Sequence, residues 1–329
     1  MAGSMIRVAI LGAGGLGKAA VRIIGMKKEM RLVAICDSSG FAYKKDGLST
    51  KEILNLKYHV SVGDLSCGRR ASDAIGEIIN LSSKIDGVFV ALPNLPNRFI
   101  PDVTRRFIDS NCPYVFTDAL KRTGAVRLMF KLDKGLKKTK SVYITGCGAT
   151  PGLLTAAAVI AAQSFIKVED VNIRWGVGIS NWEAYKATIR EDIAHMPGYT
   201  VEKARRMSDG EVEKLLARTG GRLELHEMEH ADDILLKRVG VVDSNNKVHV
   251  GGVMDTRSSK KPVSTTMTLT GITFEGKRSS HKFILGDETS MAANVIGPAL
   301  GYLKRAIWLK ERRLYGIFGS TEFMPMVVK

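Results

Sequence analysis

Cysteine is scarce in this 329-residue chain: its four copies, Cys36, Cys67, Cys112 and Cys147, stand far apart with no C-x-x-C among them. Neither a zinc ribbon nor a dithiol centre is indicated, and isolated thiols fit a reducing compartment. No apolar run approaches the ~20 residues of a membrane span, and no basic-then-apolar leader opens the chain. The expectation is a cytoplasmic protein with no membrane partner. Met1-Ala2-Gly3-Ser4, ahead of the internal Met5, reads as an added segment and is set aside. Acidic residues are in deficit, 33 against 49 Lys and Arg, which leaves a net charge of +16. The basic pairs (Lys27-Lys28, Arg69-Arg70, Arg105-Arg106, Lys137-Lys138, Arg205-Arg206, Lys260-Lys261, Arg312-Arg313) are scattered along the chain. Nucleic-acid binding would gather them on one face, so solubility and the steering of anionic ligands are the better reading.

Glycine, by contrast, is placed with purpose. The apolar run Ile6-Arg7-Val8-Ala9-Ile10-Leu11 enters Gly12-Ala13-Gly14-Gly15-Leu16-Gly17, and residues 18–26 continue with apolar positions at helical spacing. This is a strand, a tight turn and a helix in the G-x-G-x-x-G pattern that binds a dinucleotide. Gly12 permits the turn, Gly14 lets the backbone approach a pyrophosphate and Gly17 lets the helix pack closely on the strand. The helix N-terminus, with Gly15 and Leu16, offers unpaired N–H groups to the phosphates. A second apolar run, residues 31–36, ends in Asp37, twenty residues after Gly17, where a carboxylate can take the adenosine ribose hydroxyls. A glycine turn in a cofactor-free α/β domain is the bland alternative, and strand, helix and acid together argue against it. Asp37 repels a 2′-phosphate, so NAD is expected over NADP, with Ser38, Lys44 and Lys45 able to form a phosphate pocket if Asp37 turns away.

Residues 38–48 read as a long polar connection beside the adenosine end, followed by a short helix over 50–56. Ser72-Asp73 open a helix through residue 80. Gly87-Val88-Phe89-Val90-Ala91-Leu92 is wholly apolar, as a strand buried on both faces should be. Leu92 and Pro93, with Asn94-Leu95-Pro96-Asn97 behind them, fall at the carboxyl edge of the sheet, on the nicotinamide side. A helix over 100–109, a strand over 114–117, a helix over 124–136 and a strand over 141–145 continue the alternation that implies a parallel sheet. Thr145-Gly146-Cys147-Gly148-Ala149-Thr150-Pro151-Gly152 then breaks it, and Gly146 and Gly148 suggest backbone approaching a ligand, or a hinge. Beyond an alanine-rich helix over 153–163 the texture turns to strands, at 168–178, 234–242, 247–254 and 263–274, with a basic helical insert over 182–220. Helical spacing returns over 290–309, and 316–329 reads as a tail.

Leu32-Val33-Ala34-Ile35-Cys36-Asp37-Ser38-Ser39-Gly40, Asp46-Gly47-Leu48 and Phe116-Thr117-Asp118-Ala119-Leu120-Lys121 resemble the short homoserine dehydrogenases. Gly146-Cys147-Gly148-Ala149-Thr150-Pro151-Gly152-Leu153, and Thr289-Ser290-Met291-Ala292-Ala293 through Gly297-Pro298-Ala299-Leu300 with the late Gly316, resemble the saccharopine dehydrogenase-like oxidoreductases. Both resemblances imply a two-domain nicotinamide oxidoreductase acting on an amino-acid-derived small molecule. The first would have it oxidise an alcohol, the second transfer hydride at a carbon bonded to nitrogen.

Lys121, just past the strand over 114–117, is the leading catalytic candidate, since a lysine there can trade a proton with a carbonyl, carbinolamine or imine while hydride moves. That work asks for a pKa lowered by burial or by Arg122; a lysine that only holds a substrate carboxylate is the competing reading. Asp118 would orient Lys121 or cap the next turn. His226-Glu227-Met228-Glu229-His230 spells H-E-x-x-H, but it follows Gly220-Gly221 and an alternating Leu223-Glu224-Leu225, where zinc hydrolysis needs a helix. No metal is expected. Glu227, Glu229, Asp232 and Asp233 stand as a polar wall for a substrate amine, or as a solvated loop. Arg190, Tyr185 and His195 are the substrate candidates in the basic insert, Arg190 for a carboxylate, although Trp182 and Tyr185, three apart, also suit the core face of a helix.

The sequence therefore reads as an α/β chain in two domains. A Rossmann doubly wound parallel sheet occupies 1–150 and is completed by a returning segment, 288–329. Residues 151–287 form an α+β domain of mainly antiparallel sheet for substrate and dimerisation. The expected activity is NAD(P)-dependent hydride transfer at a C–N centre by a homo-oligomer, with homoserine-type alcohol oxidation and a catalytically silent nucleotide sensor as rivals.

Overall fold

A computed structural model describes residues 5–57, 59–94, 96–179 and 182–329, so that Met1 to Ser4 and Leu95 fall outside it. The chain starts with β1 (Ile6–Leu11), α1 (Gly15–Ile24), β2 (Met30–Cys36), β3 (Gly40–Tyr43), α2 (Thr50–Asn55), β4 (Gly68–Arg70), α3 (Ala74–Ile79) and β5 (Gly87–Val90). It continues with α4 (Phe99–Asp109), β6 (Val115–Asp118), α5 (Thr123–Phe130), α6 (Asp133–Lys138) and β7 (Val142–Thr145). These strands and β13 (Gly316–Gly319) form one sheet in the order β13-β7-β6-β5-β1-β2-β3-β4. The run from β13 to β2 is parallel. Its strands are nearly continuous hydrophobic runs because both faces are covered. One face packs on α1 and α12 (Met291–Glu311), the other on α3, α4 and α5. In α1 the buried residues Gly17, Ala20, Val21 and Ile24 recur at helical spacing, and Val21 and Ile24 are each worth about 1.5–3 kcal/mol.

Between β7 and α12 the chain leaves this sheet. It forms α7 (Leu153–Ala162), β8 (Phe165–Gly178), α8 (Lys186–Ile193), α9 (Val201–Arg206), α10 (Asp209–Arg218), β9 (Arg222–Leu225), α11 (Asp232–Arg238), β10 (Val248–Asp255), β11 (Thr266–Thr273) and β12 (Arg278–Ile284). A second sheet, β12-β11-β8-β10-β9, is antiparallel except for the β8–β10 pair. One face is covered by α7 and by the insert helices α8 to α10, through Leu154, Ile189, Ile193, Val212 and Leu215 among others. A parallel sheet of doubly wound type with a second, mainly antiparallel one is thus the architecture.

Four local expectations need correction. The connection after Asp37 contains β3, which turns back antiparallel on β2. The helix expected over 124–136 is two helices, α5 and α6, separated at Lys131 and Leu132. Residues 234–242 are not a strand: Asp232 and Asp233 lie in the first turn of α11 and Lys237 and Arg238 in its last, the charge order the helix dipole favours. The tail opens with β13, whose Ile317 and Phe318 pair with Tyr143 and Ile144 of β7. In addition α11, although it lies between β9 and β10, sends Leu235, with Ala231 just ahead of the helix, into the core of the first sheet.

Candidate active site

The turn between β1 and α1 is dictated by steric exclusion. Gly12 adopts φ +101°, and a Cβ there would lie 2.5 Å from the Ala91 carbonyl oxygen; on Gly17 it would lie 1.9 Å from the Gly12 oxygen. Gly14 differs, because a Cβ would meet nothing within 4 Å. Its surroundings are open, as a backbone meant for a ligand requires. Lys18 N is bonded to the Gly14 carbonyl at 2.8 Å, so the amides of Gly15, Leu16 and Gly17 belong to the uncapped first turn that attracts anions.

Asp37 is held in place by its own loop. Oδ1 accepts from Ser39 N and Ser61 Oγ, both at 2.8 Å, and Oδ2 accepts from Val62 N at 2.7 Å. Ser38 is exposed beside it, as are Lys44 and Lys45 beyond β3.

Along the same carboxyl edge of the sheet the loops after β5, β6 and β7 converge on a cavity of about 190 Å³. The first sheet contributes Asn94, Ala119, Lys121, Gly148 and Thr150, α1 contributes Leu16, and the second sheet contributes Trp175, Val177 and Met254. Tyr185, Asp192, Met228 and His230 complete much of the wall. The lining is mostly apolar, with a few convergent polar groups, which is the usual composition of a small-molecule site. Leu92 packs on the core of the first sheet and Pro93 is exposed. Gly146, at φ +72°, donates its N–H to Asp118 and packs on Leu235 and Pro151 instead of lining the cavity.

Lys121 Nζ lies 2.6 Å from Asp192 Oδ1 and 3.6 Å from Glu191 Oε2, and both carboxylates are only 2% exposed. Burial pulls the Lys121 ammonium down, Asp192 and Glu191 more than offset this, and it ends above its ordinary value. The expected depression is therefore reversed, because two buried acids face the amine. Asp118 does not touch it. Fully buried, Asp118 caps the turn at Leu120 N and binds Thr145 Oγ1 and Gly146 N, clamping the ends of β6 and β7 together. Burial pushes its carboxyl above the usual range.

Beyond the two acids, Arg122 and its neighbours form a paired group. Arg122, 4% exposed on its side chain, donates Nε to Asn97 Oδ1, contacts His195 Nε2 at 3.1 Å and is ion-paired with Glu229. Burial and the adjacent Arg122 and Lys121 cations depress His195 to about 3. The imidazole is consequently neutral, with Nε2 accepting from Arg122 and Nδ1 carrying the proton. Arg190 turns away from the cavity, to the Met207 carbonyl and Asp209, and ties α8 to the start of α10. Of the three substrate candidates only Tyr185 lines the cavity.

His226 to His230 is not helical. His226 is exposed after β9, Glu227 has φ +46° and His230 is 3% exposed just before α11. The acids of this stretch are occupied: Glu229 by Arg122 and Gly124 N, Asp233 by Thr123 and Asn245, Glu227 by His249. Asp232, wholly buried, accepts from Thr150 Oγ1 at 2.6 Å, Thr155 Oγ1 at 2.7 Å and His230 Nδ1 at 2.6 Å. The acids that face the amine are instead Glu191 and Asp192. Their signal was present, since Ile189 and Ile193 mark the buried side of α8 and Asp192 adjoins it at helical spacing.

The family model described as Glutamate/Leucine/Phenylalanine/Valine dehydrogenase matches residues 3–115. A protein of Haloferax mediterranei named (S)-8-amino-7-oxononanoate synthase BioU is 42% identical over 349 residues, covering 97% of this chain and 99% of that protein. The chain belongs to the BioU family. Two solved structures show the fold this BioU-family member adopts. DAP dehydrogenase of C. glutamicum, in complex with DAP, is 18% identical with a TM-score of 0.57, over 97% of this chain and 94% of that one. Apo saccharopine dehydrogenase (L-Glu forming) of Saccharomyces cerevisiae is 11% identical with a TM-score of 0.56, over 96% and 94%. The chain accordingly has an amino-acid dehydrogenase fold, and the resemblance to saccharopine dehydrogenase-like proteins holds at the level of that fold.

Proposed function

We propose that this chain is an NAD(P)-dependent oxidoreductase that transfers hydride at a carbon–nitrogen centre of an amino-acid-derived substrate, with Lys121 exchanging the accompanying proton. The observation that carries this reading is the convergence of Lys121, the β5 and β7 loops and Leu16 of the glycine turn on one cavity. The relative's name, that of a synthase, adds a class of compound for one side of the reaction: a ketone next to an amine-bearing carbon, at one end of an aliphatic acid. Trp175, Val177, Met228 and Met254 suit the chain of such a compound, and Lys121 and His230 suit its polar end.

A bound nicotinamide cofactor would supply or take the hydride. The Gly12 to Gly17 turn fits its pyrophosphate, because Gly14 is open exactly where a backbone must approach a ligand. Lys121, held at Asp192, offers an ammonium to oxygen or nitrogen as charge develops there. His230 has Nδ1 turned to buried Asp232, which leaves Nε2 as the ring nitrogen able to accept a hydrogen bond from a ligand in the cavity. NAD(H) is proposed over NADP(H), since three hydrogen bonds keep the Asp37 carboxylate from turning aside for a 2′-phosphate. The protein is further proposed to act as a homo-oligomer in the cytoplasm; among the described residues no helix is long and apolar enough to cross a membrane.

Cofactor turnover with a panel of amino ketones and amino acids, 8-amino-7-oxononanoate among them, tests the activity. Lys121→Ala should cut the rate by on the order of 10²-fold or more with dinucleotide affinity nearly intact. A raised KM with kcat kept would make Lys121 a substrate anchor only. Tighter binding of NADP(H) than of NAD(H) in parallel titrations would overturn the cofactor preference.

A further inference from the structure

The second sheet has two faces, and the helices of this chain cover one of them. α7 and the insert helices pack on the side of Val171, Ile173 and Leu269. The opposite side presents Thr266, Thr268 and Thr270 of β11, Asn172 and Arg174 of β8, and His249 of β10, all half-buried or exposed. Residues directly opposite on neighbouring strands share a face, so the register arranges them in rows. Lys282, Thr268, Asn172 and His249 form one row, and Ile284, Thr266, Arg174 and Gly251 the next. Five strands of about seven residues make a face of roughly 550 Å² in projection. Its accessible area is larger than that, the scale of the ~800 Å² that each partner gives to a standard interface. The chain as a whole carries +16, so two copies repel over much of their surface. On this face the charges are balanced. Arg174 stands 3.7 Å from Glu224, Arg278 2.9 Å from Glu169, and His249 lies between Asp170 and Glu227 at 3.0 and 2.9 Å.

We propose that a second copy of this chain packs on this surface, sheet face on sheet face, with Asn172 at the centre and Lys282–Glu227 ion pairs at both rims. The assignment rests on the reading of the protein as a homo-oligomer, to which it adds the surface and the orientation of the partner. Lys282 is exposed on β12 at one edge of the sheet, and Glu227, its side chain 71% exposed, follows β9 at the other. Both stand at the level of Asn172, Lys282 by register and Glu227 through its bond to His249. A two-fold axis lying in the interface along β8 turns β12 of one copy over β9 of the next, and each Lys282 meets the other copy's Glu227. Sheets stacked in this way lie about 10 Å apart with strands within about 30° of each other, a gap that a lysine and a glutamate side chain close together. Joining two β12 edges instead would set Arg278 and Lys282 of both copies side by side, and such edge charges are a common protection of an open strand. Trp175, Val177 and Met254 line the cavity from the covered face, so each copy keeps its own.

Sedimentation velocity of the full chain tests the surface. Wild type should sediment as a dimer or a larger even assembly. Asn172→Arg sets two more cations face to face at the centre without touching the core, and should fall to half that size with its thermal midpoint kept. Lys282→Glu and Glu227→Lys should each raise the dissociation constant by about tenfold or more, since symmetry applies each change twice, and the double variant should recover it. Carbodiimide treatment of the wild type gives a second readout that needs no variant. The reagent condenses an amine with a carboxylate, water being lost, and peptide mass spectrometry should find Lys282 joined to Glu227. Within one chain these residues lie at opposite edges of the five strands, roughly 19 Å apart, so that bond forms only between copies. An assembly that keeps its size in Asn172→Arg would overturn the interface and leave the homo-oligomer reading in place. A crosslinked dimer without the Lys282–Glu227 bond, or a double variant no tighter than the single ones, would do the same. A wild type that stays monomeric would overturn both.

Discussion

His195 carries the clearest pH signature of any single residue here. In the fold its pKa is lowered to about 3, from an ordinary imidazole value of 6.5 in an unfolded chain. Between those values the unfolded state binds the extra proton, so this residue makes stability rise with pH through that window and fall as acid is added. The limiting slope is about 1.4 kcal/mol per pH unit. Urea unfolding at several pH values from 7 to 4 should show wild type losing stability relative to His195→Gln as pH drops below 6.5. Parallel curves for the two proteins would mean that His195 takes up its proton as readily in the fold as in the unfolded chain. At this scale legibility was uneven. Lys121 could be picked out because a strand places it at the sheet edge, but its partner Asp192 lies 71 residues further along. Only tertiary packing brings them together. Arg190 was an attractive anion binder by charge alone, and its guanidinium serves a helix connection instead.

The glycine turn separates two kinds of glycine within one element. Gly17→Ala drives a Cβ into the Gly12 carbonyl and should destabilise the chain by at least the 1–3 kcal/mol typical of overpacking, seen as a lower thermal midpoint. Gly14→Ala meets open space and should keep its midpoint while losing dinucleotide affinity by tenfold or more, roughly 1.4 kcal/mol, measured by titration. If Gly14→Ala binds the cofactor like wild type, the pyrophosphate does not lie over that residue. This element was readable from sequence because its constraint is local and steric. α11 was not, since Ile234, Val239, Val241 and Val242 carry a strand-like texture while the deciding charges sit at its two ends. β13 escaped notice for another reason: four residues hold too little pattern, and only pairing with β7 makes them a strand.

Across the whole molecule, both ends of the described chain serve the first sheet. Beyond β13 the last residues run past α12, where Met326 N donates to Gly301 O at 3.0 Å, to the connection between α1 and β2, where Lys329 O accepts from Lys28 N at 2.7 Å. Ile317 and Val328 are buried at 3% and 7% exposure, each worth about 1.5–3 kcal/mol. Removing residues 316–329 should therefore lower the thermal midpoint followed by circular dichroism by roughly 6 °C or more. An unchanged midpoint would show that the sheet edge does not need its last strand. The order of strands also bears on how the protein is made. A ribosome releases β1 to β7 first, then every strand of the second sheet, and only afterwards α12 and β13. The nascent first sheet must wait with one face covered by α1 but not by α12 and with β7 as an open edge, a species whose exposed apolar strands invite chaperone capture. The second sheet, complete once Ile284 has emerged, is free to finish folding while the half of the protein made earliest is still unfinished.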